Sequence, residues 1–247
     1  MTMIQAIISG IVQGITEFLP VSSSGHLVIL HRLFGIEEPQ IGFDIFLHMG
    51  TLLAIFLVFW RDIVDAVTVK KKMFFLVLLG TFSTLIFILI FGKNIEAAFS
   101  NPKLVGAMLI VTGSWLILGS FVRFGTQGAS GVKAILIGLA QGVAAIPGIS
   151  RSGATISTAL FLGFEPQSAA RFSFLLAIPA ILGAFLFKIK SGGAFEGFSI
   201  NYIFGFITAC IFGVIALKLL LRMLLKNRFH LFGVYCIVVG ILVLLVM

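Results

Sequence analysis

A glutamate, three consecutive serines and a histidine stand within ten positions of one another in QGITEFLPVSSSGH, inside a stretch otherwise suited to hydrocarbon. Gln13 and Glu17 are four residues apart and so share one helix face. A carboxylate within a membrane segment costs roughly 2.5 to 3.5 kcal/mol on insertion scales, so Glu17 points to a functional cavity rather than to lipid. His26, next to Ser22, Ser23, Ser24 and that carboxylate, is a candidate acid–base group. A second polar stretch, PGISRSGAT, supplies Ser150, Arg151, Ser152 and Thr155 around a loop expected to open a short helix at about Gly153. Backbone N–H groups at a helix start attract anions, and a guanidinium beside them suits a phosphate held in bidentate fashion. One stretch thus brings an acid and a base, the other an anion clamp.

The two stretches are copies. Shifting the chain by 128 positions aligns Ala6 to Gly25 with Ala134 to Gly153 without a gap, and eight of twenty positions are identical, among them Gln13/Gln141, Ser22/Ser150, Ser24/Ser152 and Gly25/Gly153. Each copy is a short apolar run that stops at a helix breaker, Leu19-Pro20 in the first and Pro147-Gly148 in the second. An internal repeat carrying broken helices is membrane-protein architecture, with the site where the repeats meet. Composition agrees: 60% hydrophobic residues, 11% charged and a mean hydropathy of +1.19 exclude a water-soluble surface. The net charge of +8 does not argue for nucleic acid, because the basic residues sit in short loops between apolar runs. Cys210 and Cys236 lie inside apolar spans without ligand-like spacing and read as packing thiols. The N-terminus lacks a basic head and a cleavage site and reads as part of the mature chain.

The elements that must position these residues follow from length. Six apolar runs, at about 43–60, 73–91, 104–122, 172–187, 200–221 and 231–247, approach the roughly 20 residues a crossing helix needs. If both repeat cores turn back as hairpins, the loops on one side carry ten Lys/Arg and those on the other carry five; if both cross, the bias vanishes. The expected fold is therefore an all-α integral membrane protein, with six transmembrane helices plus two re-entrant helical hairpins arranged as inverted-topology repeats. It is one membrane domain, 1–247, with repeat 1 at about 1–124, repeat 2 at about 129–247, the basic loops cytoplasmic and both termini outside. Asp44 and His48 share a helix face at spacing four, where His48 either lines the pocket beside the first hairpin or packs in the bundle. The 27 Phe residues read as lipid-facing filler.

TEFLPVSSSGH (16–26), FDIFLHMGTLLA (43–54), FWRD (59–62), PGISRSGATIS (147–157) and RFSFLLAIPA (171–180) together resemble the undecaprenyl pyrophosphate phosphatase family (BacA/UppP) along essentially the whole chain. The resemblance implies a multi-pass enzyme of the bacterial plasma (inner) membrane that removes the terminal phosphate of the C55 polyprenyl pyrophosphate, recycles the cell-wall lipid carrier and confers bacitracin resistance when overproduced. It implies an active site open to the periplasmic side and dependence on a divalent cation, Mg2+ or Ca2+. The family's catalytic residues fall on Glu17, Ser23, His26 and Arg151. Substrate contacts are expected at Gln13, Ser22, Ser24, Gly25, His48, Ser150, Ser152, Gly153 and Thr155, and the metal at Glu17. The family pattern accepts Glu or Gln at this position and its well-studied members carry a second glutamate where this chain has Gln13, so the resemblance rests metal binding there on Glu17 alone. Ser23 is the first choice of nucleophile, with its proton taken by His26 or Glu17; His26 itself and a metal-activated water are the alternatives. The partners expected are the pyrophosphate substrate and membrane lipid, without nucleic acid; a homodimer is compatible with the sequence. A flippase for undecaprenyl phosphate, using the same inverted-repeat site, is the rival function.

Overall fold

The computed structural model describes residues 1–36, 40–121, 125, 128–190, 199–226 and 228–246. The basic loop residue Arg123 and the last residue of the sixth apolar run, Met247, lie outside the described residues. The described residues form ten helices and no strand: α1 Met3–Phe18, α2 Ser23–Leu33, α3 Ile41–Thr68, α4 Lys71–Ala98, α5 Pro102–Ser120, α6 Gly131–Val143, α7 Arg151–Phe161, α8 Pro166–Lys190, α9 Ile200–Leu225 and α10 His230–Val246. Two short helices followed by three longer ones make up each half of this order. Five helices, α3, α4, α5, α8 and α9, are long and apolar enough to cross a membrane, and α10, at 17 residues, is the next most suited. The chain is thus an all-α protein of multi-pass membrane type, with outward faces carrying side chains such as Leu89 and Leu245 at 74% and 77% exposure.

Local chemistry explains where the short helices start and stop. Thr2 and Gln5 close a capping box at the start of α1. Pro20 forces Leu19 into extended backbone (φ −63°, ψ 140°), which ends α1 at Phe18. Ser22 caps α2 by accepting from Gly25 N, and Ser150 caps α7 by accepting from Gly153 N. The sequence reading opened the second short helix at about Gly153; the Ser150 cap moves its start two residues earlier, to Arg151.

Small residues set the helix pairing. A Cβ on Gly10 would strike Gly205 and Thr208, and one on Gly14 would strike Ala209 and Gly213, so α1 and α9 run parallel in close contact. The same arrangement joins α6 to α4: Gly138 meets Gly80 and Ser83, and Gly142 meets Phe87. Thr208 Oγ1 reaches Ile7 O and Ser83 Oγ reaches Ile135 O, the same residue in each copy. Along α5 and α10, Gly113 faces Gly233 while Gly106 faces Gly240, so these two helices run antiparallel. So do α3 and α8, where Phe46 pairs with Phe185, Phe59 with Phe174 and Asp62 with Arg171. The first half's short helix therefore lies against the second half's long one, and the reverse.

Candidate active site

The tips of the two short-helix pairs meet. Ser22 has φ 68°, the one positive φ of a non-glycine among the described residues, and its hydroxyl accepts from Gly148 N at 3.1 Å as well as from Gly25 N at 3.3 Å. Such a backbone costs of order 1 to 3 kcal/mol and persists only where surroundings hold it. Gly148 itself needs φ 96°, and its carbonyl accepts from Thr112 Oγ1 at 2.8 Å, as Pro20 O does more loosely from Cys236 Sγ at 3.7 Å. Gly25 packs on Gly148 so closely that a Cβ would lie 3.1 Å from its Cα. At the tips, the identical Ser22 and Ser150 are therefore caps, and the identical Gly25 is a close approach.

The positions that differ carry the charge. Glu17 stands where the second copy has Ala145, and Arg151 where the first has Ser23. Glu17 is 6% exposed; its Oε1 accepts from Arg151 Nη2 at 2.5 Å and its Oε2 from Ser23 Oγ at 2.6 Å and Gln13 Nε2 at 3.0 Å. His48 Nε2 lies 3.4 Å from the same Oε2, while His48 Nδ1 donates to Asp44 O at 2.7 Å. Arg151 Nη1 is buried without a partner among the described residues, an unused donor beside the carboxylate. Ser23 and Arg151 are the first residues of α2 and α7, so two helix N-termini, both anion-attracting, open on this place.

A cavity of about 330 Å3 joins these groups. Its polar end is lined by Glu17, Ser23, Ser24, Asp44, His48 and Arg151, with Thr84 and Gln141 beside them, and the remainder by apolar side chains such as Leu27, Ile88, Phe99 and Ile181. A second cavity of similar size, about 310 Å3, lies between Asp62, Lys70, Glu165 and Arg171 and contains none of this cluster.

Of the site residues expected from sequence, Glu17, Ser23, Ser24, His48 and Arg151 reach the cavity, whereas Gln13 is buried behind Glu17. Ser22 and Ser150 are spent as caps whose acceptors serve Gly25 and Gly153, and Ser152 Oγ turns to Leu19 O. Thr155 lies in the bundle, bonded to Ser173 Oγ at 2.6 Å and to Arg151 O at 2.7 Å. His26 faces α10: Nδ1 donates to Ser22 O, Nε2 bonds Tyr235 OH at 2.8 Å, and the two rings stack at 5.7 Å. Sequence reasoning missed Thr84, Gln141 and Tyr235. Gln141 was in view only as the copy of Gln13, a buried polar residue in an apolar run that was itself a usable signal.

Such features define a polytopic all-α membrane protein that keeps a carboxylate, a guanidinium and hydroxyls where two broken helices meet. The chain belongs to the family described as bacitracin resistance protein BacA, whose profile matches residues 6–242. A curated relative from Desulfosudis oleivorans, named undecaprenyl-diphosphatase, is 44% identical over 264 residues, covering 96% of both chains. Relatives of the same name from Desulforapulum autotrophicum and Halothermothrix orenii are 42% and 41% identical, covering 98% and 99% of this chain and 97% and 98% of theirs.

Proposed function

We propose that this protein is an undecaprenyl-diphosphatase, a hydrolase of the phosphoric anhydride in undecaprenyl diphosphate that yields undecaprenyl phosphate and inorganic phosphate for the cell-wall lipid carrier. Membership of the family and the name shared by its relatives carry the substrate. The observation that carries the chemistry is the junction of Ser23, Glu17 and Arg151 on one cavity. Ser23 Oγ attacks the terminal phosphorus in line, and the bridging oxygen leaves on undecaprenyl phosphate, which needs no added proton to depart as an anion. Glu17 takes the serine proton; the 2.6 Å hydrogen bond already in place supports that role. Behind it, His48 turns Nε2 toward Glu17, because Nδ1 is committed to Asp44 O, and so presents a lone pair to a proton moving on. Arg151 Nη1 and the N–H groups opening α2 and α7 bind the non-bridging oxygens as charge redistributes. Water then hydrolyses the phosphoserine, with Glu17 as base. A transporter would use Arg151 but has no need for a serine hydrogen-bonded to a membrane carboxylate, which favours the enzyme over the flippase.

Glu17 is poorly placed for a divalent cation. Three of its four lone-pair sites are taken, and one of the donors is a guanidinium. Asp44, a second carboxylate on the cavity, has a buried oxygen with no hydrogen-bond partner among the described residues and fits a hard cation better. When bound there, the cation supplies Lewis-acid neutralisation of phosphate charge.

The antiparallel pairs α3/α8 and α5/α10, with the parallel pairs α1/α9 and α4/α6, support an inverted-topology duplication in which α1–α2 and α6–α7 are re-entrant hairpins and six helices cross. The Glu17 cavity is bordered by Ile41, Phe99 and Ala184, next to the loops poor in Lys/Arg, and the other cavity by Lys70 and Arg171, next to the rich ones. The positive-inside rule then opens the active cavity to the periplasmic side of the plasma membrane. Its apolar wall lets the prenyl chain remain in lipid, so only the diphosphate and first isoprenes enter. Phosphate release from a C55 or C15 diphosphate by purified protein, with and without EDTA, tests the reading. Turnover by wild type and its loss in Glu17→Ala, Ser23→Ala and Arg151→Ala supports it; full activity in all three discards the site.

A further inference from the structure

His31 faces Asp44, and the phosphatase reaction derived above uses only the second of this pair, as a cation ligand. His31 is the ninth residue of α2 and Asp44 the fourth of α3, so the Glu17 cavity has α2 and α3 on adjoining walls. His31 Nε2 and Asp44 Oδ1 face each other at 3.8 Å, with side-chain exposures of 7% and 19%. Both atoms are buried and neither has a hydrogen-bond partner among the described residues. The separation is too long for a direct hydrogen bond. Leaving a buried carboxylate oxygen and a buried imidazole nitrogen unsatisfied is costly, so the gap calls for an occupant.

We propose that Asp44 and His31, rather than Glu17, hold the divalent cation of this cavity. Metal–ligand bonds of about 2.1 Å place two ligand atoms up to about 4 Å apart, which is the span observed. Asp44 Oδ1 offers lone pairs to the gap, and His31 offers one through Nε2 in its Nδ1–H tautomer, the form a bound metal selects. At Glu17 the balance is opposite: Arg151 sits 2.5 Å from Oε1, and a dication there meets that positive charge at contact range. The Asp44 site is nevertheless close to the chemistry. His48 spans the interval, bonded through Nδ1 to Asp44 O and facing Glu17 with Nε2. Asp44 lines the same cavity as Ser23 and Arg151, with His31 standing behind it, so the diphosphate and water supply the remaining ligands from the cavity side. A mixed oxygen and imidazole donor pair selects Mn2+ above Ca2+.

The inference rests on the phosphatase reading only for the identity of the anion; metal binding is measured separately. Metal-stripped full-length protein in nanodiscs is titrated with Mn2+ and followed by electron paramagnetic resonance, alone and with methylenediphosphonate. Wild type is expected to bind one Mn2+, with nitrogen couplings in the echo-modulation spectrum from one imidazole. Asp44→Asn weakens binding roughly tenfold or more. His31→Gln removes the nitrogen couplings, and Glu17→Gln keeps both the affinity and the couplings while phosphate release stops. Asp44→Glu, which retains the carboxylate, guards against misfolding and is expected to bind Mn2+ with its elution profile unchanged. Wild-type affinity in Asp44→Asn, persistent couplings in His31→Gln, loss of binding in Glu17→Gln alone, or no Mn2+ bound by wild type under either condition overturns the proposal. Mn2+ bound at Asp44 by a wild-type protein that releases no phosphate overturns the phosphatase reading and leaves the metal site standing.

Discussion

Removing Arg151 should do two separable things, one to stability and one to turnover. The pair it forms with Glu17 is buried, the side chains being 16% and 5% exposed. With charge centres about 4 Å apart and an effective dielectric near 20, their attraction is about 4 kcal/mol. Breaking a buried pair by deleting one partner costs about 3 to 5 kcal/mol, because the survivor is left charged without compensation. Arg151→Met strands the Glu17 carboxylate, and Glu17→Gln strands the guanidinium; each single variant is expected to melt well below wild type. The double variant, with neither charge, should recover most of that loss, since an apolar replacement of a buried pair is often neutral. Turnover behaves otherwise: all three variants should release no phosphate. Thermal melting of detergent-solubilised protein gives the first quantity and phosphate release from C15 diphosphate the second. If the double variant melts at the temperature expected from adding the single losses, the two groups are not coupled and the reasoning fails.

Further outcomes follow from neighbouring contacts. Ser23→Ala should lower phosphate release by roughly 10² or more while diphosphate binding is retained, and single-turnover quenching should find no phosphoserine; activity within tenfold of wild type would assign the attack to water. His48→Gln should reduce kcat about a hundredfold, and His26→Gln should do no more than Tyr235→Phe, because those two rings bond each other. Ser22→Ala removes the acceptor of Gly25 N and Gly148 N and should cost about 2 to 4 kcal/mol in a denaturation experiment. Gly233→Ala puts a Cβ 2.7 Å from Gly113 O and should destabilise by about 1 to 3 kcal/mol, whereas Gly183→Ala, with nothing within 4 Å, should leave melting unchanged.

That Glu17, Ser23 and Arg151 would gather at one cavity was legible, because a charge or a hydroxyl run inside an apolar segment seeks a polar place. The duplicated residues were legible too, but as a signal of place more than of chemistry: Ser22, Ser150, Gly25 and Gly153 fold the tips, and the unmatched Glu17 and Arg151 carry the charge. His26 shows that adjacency in sequence does not set the direction of a side chain. At about 100° per residue, Ser23, Ser24 and Leu27 share an arc of about 100° on α2 that faces the cavity, and His26 lies about 60° outside it, over Tyr235. Helical phase alone held that information. The contact of His48 with Glu17 and the approach of His31 to Asp44 depend on how α1, α2 and α3 pack, which no spacing within one segment encodes. Thr84 and Gln141 reach the cavity wall only because α4 lies along α6.

The exchange of partners between the halves has a consequence for biosynthesis. α1 seats on α9, whose first residue comes roughly 200 positions later in the chain, and the guanidinium that neutralises Glu17 comes 134 positions later. At translation rates of about 5 to 20 residues per second, the newborn amino-terminal helix waits about 10 to 40 seconds beside the translocon before its groove exists. Until Arg151 emerges, about two-thirds of the way through that interval, it carries an unmatched carboxylate, which resists full entry into the bilayer. Packing of α1 is therefore a late event, and a ribosome stalled before α9 releases a chain whose α1 has no seat.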